Sequence, residues 1–318
     1  FASWEIDFFG RIASLKEAAL AQVLASEEAR RAVQTSLVAA VASTLLNLQT
    51  DEELLALTRS TLATREESLR LVQMRYRQGV ASALDLRQAE SLVATARVAL
   101  AQQERQRALD TNALTLLLGK APALALLEST ASPHAALADI PVGLPSDLLV
   151  QRADVRQAEH NLRAANANIG AARAAFFPRI SLTASAGTAS GALSGLFKDG
   201  TWGWSLAPQA LLPIFDAGRN RAALESAQAA RSMALAQYEK AIQTAFREVA
   251  DALAGRATLA DQVSAQQAQA EAEAERLRLA DLRYRNGVAS SLEVLDAQRS
   301  VFSAQQALAQ TRLALRQN

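Results

Sequence analysis

The 318-residue sequence is 50% hydrophobic, yet aromatics make up only 5% and glycine and proline number 13 and 7, a profile of long helices packed through small side chains. With 33 basic and 32 acidic residues the net charge is +1, which gives no footing for nucleic acid or for a polybasic membrane contact. Cysteine is absent, so disulfides and cysteine-held metals are excluded, while an oxidising and a reducing compartment both stay open.

Phe1 is preceded by no initiator Met, basic n-region or apolar h-region, so any targeting segment is expected outside this sequence. Residues 1–9 read as a strand, with Trp4, Ile6 and Phe8 on one face and Ser3, Glu5 and Asp7 on the other. From Arg11 to Met74 there is neither Pro nor Gly, which predicts a helix over 11–74, a rod of roughly 95 Å. Leu55, Leu62, Leu69 and Tyr76 recur every seven residues with Val72 interleaved, and beyond Gly79 the residues Leu86, Val93, Leu100 and Leu114 continue the pattern on a returning helix, 83–118. These two helices zip together antiparallel. Asp51, Glu52 and Glu53 read as a solvated charge run, or as a local break midway along the rod.

Between 119 and 146 the periodicity dissolves into Gly119, Pro122, Pro133, Pro141, Gly143 and Pro145, a connector. Ser146 or Asp147 is the expected cap of a helix over 147–176, where Val155, Ala158, Leu162, Ala165, Ile169, Ala172 and Phe176 form a narrow seam that Pro178 ends. Over 179–215 a hairpin follows: Ile180, Leu182, Ala184 and Ala186 alternate with polar or small residues, and Trp202, Trp204, Leu206, Leu212 and Ile214 do so after the turn-rich loop 191–200. Long helices over 219–281 and 291–318 complete the chain.

Arg75-Tyr-Arg-Gln-Gly-Val-Ala-Ser-Ala-Leu84 returns as Arg283-Tyr-Arg-Asn-Gly-Val-Ala-Ser-Ser-Leu292, an offset of 208 (75 to 283) that also carries Gly10-Arg11 onto Gly218-Arg219. The chain therefore reads as one unit built twice, a first repeat over 1–118, a connector over 119–146 and a second repeat over 147–318. Since Phe1 falls opposite Gln209, about one helix and one strand of the first repeat are expected beyond the sequence. Strands of about ten residues fit a tilted crossing of a bilayer in a barrel. Too few are present to close one, so a barrel would have to be shared among copies. Trp4, Trp202 and Trp204 are the candidate membrane-interface residues, Trp4 and Trp202 lying near strand ends as an aromatic belt requires. The competing reading is a soluble sheet packed on helices with the tryptophans as core. A further alternative is a soluble coiled-coil scaffold or interaction protein, against which the strands count. Rods fused in register to membrane-compatible strands suggest a cylinder of helices continuous with a barrel, which is a conduit.

The run Arg152-Ala-Asp-Val-Arg-Gln-Ala-Glu-His-Asn-Leu-Arg-Ala-Ala-Asn-Ala-Asn-Ile-Gly-Ala-Ala-Arg-Ala-Ala-Phe-Phe-Pro-Arg-Ile-Ser-Leu182 resembles the signature of the TolC-like outer-membrane efflux factors, in the lipoprotein branch typified by OprM. Gly143-Leu-Pro-Ser-Asp-Leu148, Leu212-Pro-Ile-Phe-Asp-Ala-Gly218, Tyr238-Glu-Lys-Ala-Ile-Gln-Thr-Ala-Phe246 and Leu295-Asp-Ala-Gln-Arg-Ser300 extend the resemblance over nearly the whole chain. It departs at Ala153, where the family usually has Pro. The resemblance implies a mainly α fold with membrane strands: a homotrimer with four strands per chain in one outer-membrane β-barrel, and long antiparallel coiled-coil helices forming an α-barrel across the periplasm. It implies a passive exit duct for drugs and other small solutes, lipid-anchored in the outer membrane of a Gram-negative bacterium. The partners would be outer-membrane lipid, a periplasmic adaptor and an inner-membrane pump, with no enzyme activity and no cofactor.

The resemblance also marks the helical turns. Positions matching Leu292 and Asp296 form constricting rings at the periplasmic mouth, with Arg299 as partner of the carboxylate. Three Asp296 side chains around an axis would favour bound cations or proton uptake. Read from the residues alone, Asp296 is a solvated helix-face acid paired with Arg299. The tips Gly79, Val80, Ala81, Ser82 and Gly287, Val288, Ala289, Ser290 would dock the adaptor, whereas on geometry alone each is a tight reversal for which Gly supplies the backbone. Elsewhere no site stands out: His134 lies in the connector, His160 faces away from the Val155 seam, and neither has metal ligands at suitable spacing.

Overall fold

The computed structural model describes residues 2–121 and 151–318. Most of the 119–146 connector, the start expected for the 147–176 helix with its Ser146 or Asp147 cap, His134 and the Gly143–Leu148 motif lie outside the described residues. The elements in order are β1 (Ala2–Ile6), α1 (Arg11–Arg77), α2 (Ala83–Leu118), α3 (Ala153–Ala174), β2 (Arg179–Thr188), β3 (Trp202–Leu211), α4 (Arg219–Arg285) and α5 (Ser291–Gln317), with a 3₁₀ turn at Leu193–Gly195 between β2 and β3. Helices α1 and α4 are both 67 residues long.

Several boundaries differ from the sequence reading, each for a local reason. β1 stops at Ile6 instead of running to residue 9, because the Asp7 carboxylate turns to cap α1, accepting from the backbone N–H groups of Ile12 at 3.0 Å and Ala13 at 2.7 Å. α1 and α4 run to Arg77 and Arg285, past the expected 74 and 281, and end at Schellman turns. α3 starts at Ala153, following Arg152 whose guanidinium pairs with Asp154 at 2.8 Å, and ends at Ala174, short of 176. The residues beyond it serve the next turn, where Phe177 stacks on Phe9 with ring centroids 4.8 Å apart. β3 stops at Leu211, the partner of Arg179, so Leu212 and Ile214 lie beyond the ladder.

The described residues fall into two units: 2–34 with 151–247, and 35–121 with 248–318. In the first, β1, β2 and β3 form one antiparallel sheet in that order. Its register pairs Trp4 with Leu182, Leu182 with Pro208, Ala184 with Leu206 and Ala186 with Trp204. Directly opposed residues share a face, so Trp4, Ile6, Ile180, Leu182, Trp202, Trp204 and Leu206 lie on one apolar face, and Ser3, Glu5, Thr183, Ser185, Ser205 and Gln209 on a polar one. The polar face has its own bonds, Ser185 to Ser205 at 2.7 Å and Arg179 to Glu5 at 2.6 Å. Among the described residues the apolar face is largely uncovered: β3 is exposed along its whole length and Trp204 is 69% exposed, while Ile6, Ile180 and Leu182 are half-buried. Trp4, Trp202 and Trp204 are exposed among the described residues, not the core that the soluble-sheet reading expects.

In the same unit α3 is buried on two sides. Val155 and Ile169 are buried as the seam requires, but so are His160, Ala164, Ala167 and Ala174. His160 was expected to face away; a second apolar row at positions 160, 164, 167 and 174 carries it inward instead. Gly170 allows the close approach on the α1 side, since a Cβ there would meet Ser14 Oγ at 2.6 Å.

The second unit contains two helical hairpins. Along α1 the leucine row is real but incomplete: Leu55 is buried, Leu62 and Leu69 half-buried and Tyr76 exposed. Deeper in the seam lies a row four residues earlier in each heptad, Asp51, Thr58, Arg65 and Val72, all buried. Residues 51, 55, 58, 62, 65, 69, 72 and 76 alternate steps of four and three, the spacing of a two-row coiled-coil seam. The charge run at 51–53 is thus neither solvated throughout nor a break, because Asp51 is inside and the helix continues through it. Facing it, α2 buries Ala89, Val93, Ala96 and Leu114. The ion pairs Arg97–Glu66 at 2.7 Å and Arg59–Glu104 at 3.5 Å, with Arg107–Glu52, flank the seam.

Candidate functional site

The two hairpin ends in the second unit are built by the same turn. Gly79 and Gly287 take φ of +74° and +72°, the left-handed cap of a Schellman motif, and the next N–H reaches back to close it, Val80 to Arg75 O and Val288 to Arg283 O, both at 2.9 Å. The valines are left outside, 73% and 70% exposed. Ala81 and Ala289 follow, then Ser82 and Ser290, the N-caps of α2 and α5.

From here the two copies diverge. Ser82 forms a full capping box with Asp85, Ser82 Oγ accepting from Asp85 N–H at 3.1 Å while Asp85 Oδ2 accepts from Ser82 N–H at 3.1 Å. Ser290 makes no side-chain cap, and the matching acid, Glu293, accepts from Arg283 at 3.1 Å. Asp85 also reaches the other hairpin: its Oδ1 accepts from Ser291 Oγ at 2.6 Å. These hydroxyl donors, Ser291 first, hold the Asp85 carboxyl below its ordinary pKa. A second link joins the hairpins where Arg75 Nη1 donates to Tyr284 Oη at 2.5 Å with its guanidinium 4.7 Å from the ring centroid.

Leu292 is 53% exposed at the start of α5, and Asp296 lies one turn further on. The Asp296 carboxylate accepts from two guanidinium groups, Arg299 on its own helix and Arg276 on α4, the latter at 2.6 Å. Arg276 also donates to Glu273 at 3.0 Å. Within one chain the hydrogen bond from Arg276 and the charge of Arg299 hold the Asp296 carboxyl below its ordinary pKa. Sequence reasoning missed Arg276, which lies on the preceding helix across the Gly287 turn; the signal was the mirror relation of 276 and 296 about that turn. The positions 208 residues earlier are Ser68, Gln88 and Ser91, so the α1–α2 hairpin lacks this set of charges.

Further along the hairpins, Arg65 is 3% exposed, donates to Leu92 O at 3.0 Å and lies 5.3 Å from the Phe302 ring. No carboxylate answers it among the described residues, and burial pushes its pKa down. One turn away Gln298 donates to Ser68 at 3.2 Å. The described residues contain no cluster of three potential metal ligands and no helix long and apolar enough to cross a membrane, which says nothing of a barrel.

The outer membrane efflux protein family matches the chain over residues 1–120 and 144–318. The chain is 51% identical over 306 residues to the solvent efflux pump outer membrane protein SrpC of Pseudomonas putida, covering 96% of this chain and 65% of that protein. It is also 51% identical over 300 residues to outer membrane protein OprJ of Pseudomonas aeruginosa, covering 94% and 63%. It thus spans just under two thirds of these relatives. Among solved structures it superposes with a TM-score of 0.92 and 48% identity on a membrane protein of Pseudomonas aeruginosa, over 99% of this chain and 74% of that one. For the open state of the MtrE outer membrane channel of Neisseria gonorrhoeae the values are 0.86 and 40%, over 99% and 71%. The chain therefore belongs to the outer membrane efflux protein family.

Proposed function

We propose that the chain is part of the outer-membrane channel of a tripartite efflux system, a passive exit duct that carries drugs and other small solutes across the periplasm and outer membrane without a catalytic step. The observation that carries this reading is the sheet. Its apolar face is largely uncovered and its outer strands β1 and β3 each present an unpaired edge among the described residues, a combination that a soluble scaffold would leave in water. Strands from three copies closing one barrel would pair the edges and put the apolar face against lipid, with Trp4, Trp202 and Trp204 in the interfacial belts.

The same assembly accounts for α4, whose Met233, Leu235, Phe246, Val249 and Leu253 are exposed in the single chain and would pack on neighbouring helices of a periplasmic α-barrel. Two repeats, 1–118 and 147–318 around the 119–146 connector, account for the equal lengths of α1 and α4. In this reading Leu292, Asp296 and Arg299 form the periplasmic gate. Gly79, Val80, Ala81 and Ser82 with Gly287, Val288, Ala289 and Ser290 dock the adaptor, which links the channel to its inner-membrane pump. Relatives are named for solvent and antibiotic efflux, and small apolar solutes and antibiotics are the proposed cargo. The full-length protein should leave outer membranes only with detergent, cross-link as a trimer and conduct ions in planar bilayers. A buffer-soluble chain without conductance would establish the scaffold reading instead.

A further inference from the structure

Midway along the α1–α2 hairpin, the seam that is elsewhere filled by Leu55 and Val93 holds two acids. Asp51 on α1 is 6% exposed, and its Oδ2 meets no donor. Its neighbour across the seam is the carboxyl of Asp110 on α2. Gln106 donates to Asp110 Oδ2 at 3.2 Å. The guanidinium that faces the pair from α2, Arg107, donates to Glu52 instead. From α5 comes a neutral group, Gln317, which donates to Asn47 Oδ1 at 2.7 Å one turn before Asp51. The α5 cations of that stretch are engaged, Arg312 with Gln267 at 3.3 Å and Arg316 with a partner of its own.

Two ionised carboxylates side by side repel, and the lost hydration of Asp51 Oδ2 is not returned by a donor among the described residues. One proton between them changes both terms, since Asp51 becomes an O–H donor to the Asp110 carboxylate and only one charge remains. A metal cation is a poor substitute, because hard cations take six or more oxygens and the described residues gather no third ligand. We infer that Asp51 and Asp110 form a proton-binding site that clamps α1 to α2 while it holds a proton and loosens that contact when the proton leaves.

Burial first, and the neighbouring Asp110 second, push Asp51 from 3.8 up to about 7. A carboxyl whose folded pKa is raised favours the fold most at low pH. Its contribution is fully present below 3.8 and is lost as pH rises through about 7. The inference stands apart from the channel reading, because it concerns one hairpin of one chain.

The test is hydrogen exchange of the 48–58 segment, with thermal melting, on the detergent-purified chain between about pH 6 and about pH 8.5, each rate corrected for intrinsic chemistry. The parent segment should exchange at least about tenfold faster at the upper pH, the factor for one pKa unit, and its melting temperature should fall. In Asp51→Asn the amide donates to Asp110 at every pH, so both changes should vanish; Asp110→Asn, donating the other way, should behave alike. Infrared difference spectra of the parent should lose a protonated-carboxyl stretch over the same range. Equal pH slopes in parent and variants, or no such stretch in the parent, would overturn the inference even if one variant failed to fold.

Discussion

Replacing Asp85 by Ala removes two things at once. Its carboxylate accepts from Ser82 Oγ at 2.7 Å and Ser82 N–H at 3.1 Å, the capping box of α2, and from Ser291 Oγ at 2.6 Å, the link to the other hairpin. Losing the carboxylate half of the capping box costs up to about 1 kcal/mol, since Ser82 Oγ still accepts from the backbone N–H of residue 85. Losing a half-exposed charge-assisted bond costs about 1 kcal/mol more. Only the second term belongs to the link, so Ser291→Ala isolates it and should shift the balance between joined and parted hairpins about fivefold. Asp85→Ala should shift it up to about thirtyfold, to the extent that the cap also holds the joined state. Single-channel recording of the full-length protein in planar bilayers reads this balance as open probability, with both variants above the parent. The sign with pH follows from the lowered pKa of Asp85: the stabilisation is present above 3.8 and lost as pH falls through the still lower folded value. Acid should therefore loosen the parent link, and Ser291→Ala should blunt that response. If both variants conduct like the parent, the link does not restrain the hairpins.

Other outcomes follow from packing and charge. Because Arg65 is buried with no carboxylate partner among the described residues, Arg65→Met should unfold in denaturant at or above the parent midpoint, while Arg65→Ala should lose about 2–4 kcal/mol to the cavity; a strongly destabilised Met variant would refute this. Gly170→Ala gains about 1 kcal/mol of helix propensity but forces Cβ to 2.6 Å from Ser14 Oγ, so the melting temperature should fall and should recover when Ser14→Ala is added. Leu292→Ala combined with Asp296→Ala should raise conductance, and an unchanged value would count against the gate.

The long helices were legible because the absence of Pro and Gly over sixty-odd residues leaves little else for an Ala- and Leu-rich chain to do, and α2 begins and ends where its seam and the Gly119 cap require. The strands were legible by alternation, though not the end of β1, since Asp7 continued the alternating pattern while serving as a cap. What failed was the assumption that a seam is apolar. The seven-residue ruler passes through Asp51, Thr58 and Arg65 as surely as through Leu55, Leu62 and Leu69, and the polar row is the deeper one. His160 was misread for a related reason, because one periodicity was allowed one face and α3 packs on two. The Asp85–Ser291 and Arg75–Tyr284 contacts join residues 206 and 209 positions apart, beyond the reach of local pattern, though the segments around Arg75 and Arg283 share one sequence motif.

The equal lengths of α1 and α4, at 67 residues each, constrain how such a protein can change size. Deleting a single residue from α1 turns everything beyond it by about 100° and draws it back about 1.5 Å, taking Asp51 or Arg65 out of the seam. Seven residues restore the facing rows, but the ties Arg97–Glu66 and Arg59–Glu104 then demand the same excision from α2, and the matching helices of the other hairpin must follow. Reach in this architecture is a quantised trait, adjustable in increments of about 10 Å and only by concerted edits, so gradual drift in span is closed to it.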